Sequence, residues 1–142
     1  MTKARVRVIS SILIMSALIV SVSSCAAKPE PAYANPITEG ILQAMNNNDY
    51  VKYTEHFDEI MKNATPEPVF RQTNTLIKSK VGDYLSKEFW KVEDKGPYTT
   101  VYYKAKFTGE PEDVIVRVVF QEIEGEIYVS GLWFDSPNLR QQ

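Results

Sequence analysis

Few side chains in this 142-residue chain could do chemistry beyond packing and charge. The single cysteine, Cys25, offers a thiol that can be acylated, oxidised or left free. The single histidine, His56, lies in "YTEHFDE", three residues before Glu59, so the two share one face of a helix. A metal site needs three or more ligands, and no second histidine exists. His56 is therefore expected at the edge of a polar helix face, with no metal and no cofactor. Asp83 and Asp135, at the ends of predicted strands, are the carboxylates best placed for acid–base work. The inward strand positions between them are apolar, so no catalytic residue is assigned and an enzyme is disfavoured. No nucleophile elbow, phosphate-binding loop or paired-cysteine motif occurs. The glycosylation triplet "NAT" at 63–65 is followed by Pro66 and stands alone.

The setting of Cys25 gives it a role. Lys3, Arg5 and Arg7 form a positive start, and Val8 to Val22 are apolar apart from serines. That run is shorter than the roughly 20 residues a transmembrane helix needs, and it fits the apolar region of an export signal. "VSSC" (Val22, Ser23, Ser24, Cys25) resembles the lipobox of bacterial and archaeal lipoproteins: an aliphatic residue, two small ones, then the lipid-bearing cysteine. The resemblance implies lipidation at Cys25 after removal of residues 1–24. Each buried acyl methylene contributes about 0.8 kcal/mol, and two or more chains anchor stably. A lone cysteine forms no intrachain disulfide, and thiols are seldom left free in exported chains. The expected location is the cell membrane or envelope, on the extracytoplasmic side.

The chain beyond the leader must position everything else. Residues 25–35 are expected to be the lipidated cysteine and a flexible tether, with Pro29 and Pro31 disfavouring helix. The remaining length suits one domain. The formal charge is −2, and three basic residues sit in the leader, so the mature part is more acidic still. With no basic stripe, nucleic acid is excluded as partner. Three helices are predicted: one from Asn35 and Pro36 to "NNND", one capped by Asp49 and closed by Asn63, and one opened by Thr65. The second carries Tyr50, Tyr53, Phe57, Ile60 and Met61 at helical spacing. After Gly82 the period changes to two, and strands are predicted over 83–93, 98–108, 113–123 and 127–134. "DKGP", "GEPE" and "EGE" between them are hairpin turns, so the sheet is an antiparallel meander. The fold class is α+β: three N-terminal helices packed on a curved four-stranded antiparallel sheet.

Strict alternation then sorts the sheet positions. Trp90, Tyr103 and Trp133 face the helices and, with Tyr53 and Phe57, could line a ligand pocket; aromatics so spaced more often form plain core. Phe89, Tyr102, Ile115, Val119 and Leu132 share the opposite face with Lys87, Lys104 and Arg117, and that mixture suits a partner surface.

The stretches "NNNDYVKYTEHFDEIM", "TPE", "GDY", "EDVIVRVVFQ" and "GEIYVSGLWFDSP" resemble a domain family of unknown function. Its fold is the nuclear-transport-factor-2-like, or cystatin-like, cone. Members are secreted or lipid-anchored bacterial and archaeal proteins, some preceding an α/β-hydrolase domain. The likeness implies a cone domain over 36–137, leaves 138–142 as a polar tail, and supplies no catalytic residues. No hydrolase portion is expected in this chain, so no hydrolase activity is carried over. The expectation is a non-catalytic binding module of the envelope, with a second copy or an envelope protein as partner. The alternative is a small-molecule carrier or enzyme using the space between helices and sheet.

Overall fold

The computed structural model describes residues 26–141. The leader and Cys25 lie outside the described residues. Five helices and four strands run in the order α1 (Ala34–Asn47), α2 (Tyr50–Thr54), α3 (Glu59–Ala64), α4 (Glu67–Val81), β1 (Tyr84–Lys95), β2 (Tyr98–Phe107), β3 (Glu110–Ile123), β4 (Glu126–Asp135) and α5 (Pro137–Arg140). The strands form one antiparallel sheet in the order β1-β2-β3-β4, an α+β architecture with the helices on one face. No helix among the described residues is long and apolar enough to cross a membrane.

Four helices precede the sheet, where three were expected. The stretch from Tyr50 to Met61 reads as one amphipathic helix, yet it breaks after Thr54. Asp58 caps a separate α3, its Oδ1 accepting from Met61 N at 2.7 Å. Between the helices the chain pairs with β4: Val129 N donates to His56 O at 2.7 Å, and Asp58 N donates to Val129 O at 3.0 Å. A buried backbone with those sheet partners has no need of helix. Asp49 caps α2 as expected, accepting from Lys52 N at 3.0 Å. Asn35 caps nothing: α1 starts one residue earlier, and the Asn35 side chain accepts from Lys87 instead.

Two turns need glycine or asparagine-like geometry. The β3–β4 hairpin closes over Glu124 and Gly125, both at positive φ (52° and 83°), the conformation a two-residue hairpin with the right twist demands. Gly82 ends α4 at φ 79°, and a Cβ there would lie 2.1 Å from Thr108 Oγ1. The turn between β2 and β3 therefore sits directly against the α4–β1 junction, with Gly109 N donating to Val81 O at 2.8 Å.

The core lies between helices and sheet and is filled. Phe57, Phe70, Tyr103, Phe120, Ile41 and Leu42 are its largest fully buried side chains, with valines of β2, β3 and β4 beneath them. Residues expected to act as a tether also belong to it. Tyr103 Oη donates to Glu30 at 2.5 Å, Tyr33 meets Phe120 edge-on at 5.2 Å, and Ala34 is fully buried. The expected polar tail is likewise anchored. Glu110 is buried and accepts from Asn138 N at 2.9 Å, while Asn138 Nδ2 donates to Gly109 O at 3.1 Å.

Two β-bulges overturn the alternation assumed across the sheet. In β1, Phe89 pairs with Tyr103 and Lys91 with Tyr102, which leaves Trp90 as the extra residue. In β4, Phe120 pairs with Val129 but Val119 with Gly131, which makes Ser130 extra. An inserted residue puts the side chains on its two sides out of step with strict alternation. Phe89 and Leu132, expected on the outer face, therefore turn inward and pack on the core. Trp90 and Trp133, expected inward, are each 47% exposed on the outer side. Tyr102, Ile115 and Val119 do lie on the outer face with them. Lys87 also points inward: its side chain is 5% exposed, Nζ lies 3.1 Å from Glu39 and 5.0 Å from the centre of the Tyr103 ring.

Candidate functional site

Of the five aromatics expected to line one pocket, only Tyr53 and Trp133 border a common cavity. Phe57 and Tyr103 are sealed in the core at 1% exposure, so the space between helices and concave sheet is occupied by protein. Tyr53 packs between Phe57 (5.1 Å between ring centres) and Phe70 (4.5 Å). Trp90 belongs to a different surface, and Trp133 borders both that surface and the cavity that Tyr53 lines.

That surface is the outer face of the sheet. Register aligns Lys91, Tyr102, Arg117 and Trp133 in one row across all four strands. The cations stack on the aromatics: Lys91 Nζ lies 4.4 Å from the Tyr102 ring centre and 5.2 Å from that of Trp90, and Lys104 Nζ lies 5.2 Å from Trp90. Arg117 Cζ sits 4.2 Å above the Trp133 ring. Such contacts are worth about 0.5–1 kcal/mol each at exposed sites. Glu93 fastens one end of the row, accepting from Lys91 (2.5 Å) and from Tyr102 Oη (3.0 Å). The Lys91 hydrogen bond, then that of Tyr102, holds the Glu93 carboxyl below its ordinary range, and the same contact raises Lys91. Arg117 makes no ion pair among the described residues, and its buried Nε has no hydrogen-bond partner. A shallow cleft of about 300 Å³ opens beside it, between Tyr102, Ile115 and Trp133.

Trp133 can lie flat because of its neighbour. A Cβ on Gly131 would meet the indole at 2.3 Å, so the missing side chain is the space the ring uses. The glycine in "YVSGLWF" is the sequence signal for both the close approach and the nearby bulge.

A second concavity lies between α4 and β4. Past Val129, β4 has no strand on its outer edge. A half-open cavity of about 320 Å³ runs along it, reaching Met45, Tyr53, Met61, Phe70, Asn74 and Leu132. Asn74 is 1% exposed, and sequence reasoning passed over it because one polar residue in a helix stripe is an ordinary occurrence.

The carboxylates proposed for acid–base work are already matched with cations. Asp83 pairs with Lys78 at 2.8 Å. Arg140 donates two hydrogen bonds to Asp135 (2.7 and 2.5 Å), and they hold its carboxyl below the usual carboxylate range. His56 has Glu55 3.9 Å away. No group of three or more histidine, cysteine or acidic side chains suited to a metal occurs among the described residues.

A family model described as "Protein of unknown function (DUF3887)" matches residues 38–126, more than half of the chain, and the chain belongs to that family. No curated protein matches it. The matched span starts within α1 and ends at the first residue of β4, so it includes most of the filled core and most of the outer row but stops before Val129 and Trp133.

Proposed function

We propose that this family member is a lipid-anchored, extracytoplasmic binding module. It is held to the membrane through Cys25 and contacts a protein partner through the outer face of its sheet. The fold we assign is the nuclear-transport-factor-2-like cone, supported by helices covering one face of a four-stranded antiparallel meander. The anchor reading is supported by the basic start, the short apolar run and "VSSC". A catalytic reading draws no support from Asp83 or Asp135, each of which already has a cation.

The observation that carries the partner reading is the row of exposed aromatics and stacked cations from Lys91 to Trp133. Trp, Tyr and Arg are the residues that concentrate binding energy at protein interfaces. Their rings here are already pressed against the sheet and give up little side-chain freedom on contact. Arg117 brings a guanidinium with no carboxylate of its own, so the partner supplies an acceptor. A second copy of the chain is the first partner to test, because Glu88, in register with Lys104 on the same face, offers an exposed carboxylate with no ion pair among the described residues.

Two measurements test the proposal. Mass spectrometry of the mature protein is expected to find Cys25 as the first residue, carrying acyl chains; Cys25→Ser should leave the precursor uncleaved or released. A Cys25→Ser protein that still fractionates with membranes, at unchanged mass, overturns the anchor. Light scattering of residues 26–142 is expected to show mass rising with concentration, and Tyr102→Glu or Trp133→Glu to abolish the rise. A strict monomer indifferent to both substitutions removes self-association.

A further inference from the structure

The cavity between α4 and the free edge of β4 holds one of the three buried side-chain polar atoms that have no hydrogen-bond partner among the described residues. Asn74 Nδ2 donates to Met45 O at 2.8 Å and to Asn48 Oδ1 at 2.6 Å. Those two bonds use both amide hydrogens and fix the orientation of the side chain. Oδ1 is left buried with no donor. Native proteins seldom leave a buried acceptor unpaired, and an exception calls for a partner from outside the chain. Tyr53, 9% exposed, lines the same cavity, and its hydroxyl has no hydrogen bond among the described residues. Burial pushes that phenol up to about 12, so it stays neutral and can donate or accept.

The rest of the wall limits what can enter. Of the residues lining the cavity none carries a formal charge, and most are apolar, among them Met45, Met61, Val69, Ile77 and Leu132. An ionised group would lose its hydration there and gain no counter-charge. The volume, about 320 Å³, is at the small end for ligand sites and holds about ten non-hydrogen atoms at the roughly 30 Å³ of a water molecule.

We propose that this cavity is a binding site for a small uncharged amphiphile, whose single hydroxyl or amide N–H donates to Asn74 Oδ1 while its apolar part lies against Met45, Met61 and Leu132. The site borders the outer face of the sheet at Trp133 but includes none of Lys91, Tyr102 or Arg117, and it is separate from the lipid anchor. Its failure would leave both of those readings standing, and theirs would leave it standing.

Three probes of matched length test the site: 1-nonanol, 1-methoxyoctane and nonanoate. Only Met45 and Met61 of the four methionines fall among the described residues, and both line the cavity. In the purified full chain, carbon-13 on the methionine methyls gives their signals, assigned by Met45→Leu and Met61→Leu. Nonanol is expected to shift both signals saturably. It should bind about tenfold more tightly than the ether, which lacks a donor, because a buried acceptor otherwise stays unpaired. Nonanoate at neutral pH is expected to bind at least tenfold more weakly than the alcohol. Val69→Trp, at a partly exposed lining position where folding is not at stake, should close the mouth and cost at least tenfold in nonanol affinity. Equal affinity for alcohol and ether would mean water already satisfies Asn74, and the proposal falls. It also falls if nonanol moves neither methyl, if nonanoate binds as well as the alcohol, or if Val69→Trp leaves affinity unchanged.

Discussion

Replacing Gly131 by alanine should destabilise the domain, although the same change in an ordinary strand stabilises it. Alanine loses less backbone freedom on folding than glycine, a gain of about 0.5–1 kcal/mol. At Gly131 the new methyl would sit 2.3 and 2.4 Å from two carbons of the Trp133 ring. The ring must swing outward. Trp133 is 47% exposed now, so roughly half of its surface, on the order of 100 Å², is covered. Losing half of that cover costs about 1.25 kcal/mol at about 25 cal/mol per Å². The Arg117 stacking contact adds about 0.5–1 kcal/mol. The net expectation is a loss of about 1–2 kcal/mol, read from denaturant unfolding of residues 26–142. The same substitution in a Trp133→Ala background should be neutral or stabilising, because the clash has gone. The coupling in this double-mutant cycle is thus expected to exceed about 1 kcal/mol. Trp90→Phe leaves Trp133 as the only indole of the chain, and in that background Gly131→Ala should shift its emission to the red. If Gly131→Ala costs the same with and without the indole, the ring is not what occupies that space, and the placement of Trp133 falls with it.

Phe57→Ala, at 1% exposure beside Tyr53, should cost about 3–5 kcal/mol in the same assay; a change under 1 kcal/mol would place Phe57 outside the core. Stability should also fall on acidification through Glu39. Burial pushes its carboxyl up, but hydrogen bonds from Tyr84, Gln43 and Lys87 outweigh that and hold it below its ordinary 4.5. Its contribution is complete above the unfolded value and is lost as pH drops through the folded one, so Glu39→Gln should flatten the acid limb of stability against pH. An unchanged limb refutes the assignment. Glu110→Ala should free α5, raising amide exchange at Asn138 to Arg140 about tenfold while the central strands keep their protection; equal exchange in both proteins would show that the helix is held by something else.

The order of elements was legible in the sequence wherever local signals agreed. The change of period after Gly82, the turn residues at Gly96 and Gly125, and the Asp49 cap each act over a few residues, and each stands where the sequence places it. What failed depended on distant partners. The helix from Tyr50 to Met61 breaks because Val129, some seventy residues on, supplies the hydrogen bonds that His56 and Asp58 need. The bulge at Trp90 leaves no clear mark in a pattern of alternating residues, and the one at Ser130 leaves only the neighbouring Gly131. One unseen insertion in β4 was enough to exchange Trp133 for Leu132 between the faces. For that reason Tyr102, Ile115 and Val119 were readable as a surface while the tryptophans beside them were not. Asn74 was invisible because its significance lies in a hydrogen bond it does not make.

The clasp between Glu30 and Tyr103 sets the length of the leash. With the acyl anchor proposed at Cys25, five residues separate the bilayer surface from Glu30, at most about 17 Å of extended chain. A globule of this size is about twice that across, so it cannot tumble freely above the lipid. Lys28, paired with Asp94 near the β1–β2 turn, draws the same end of the sheet toward the surface. Neighbours held by the same proposed anchor would sit at a similar height and meet the domain in two dimensions, where a weak contact is favoured by high local density.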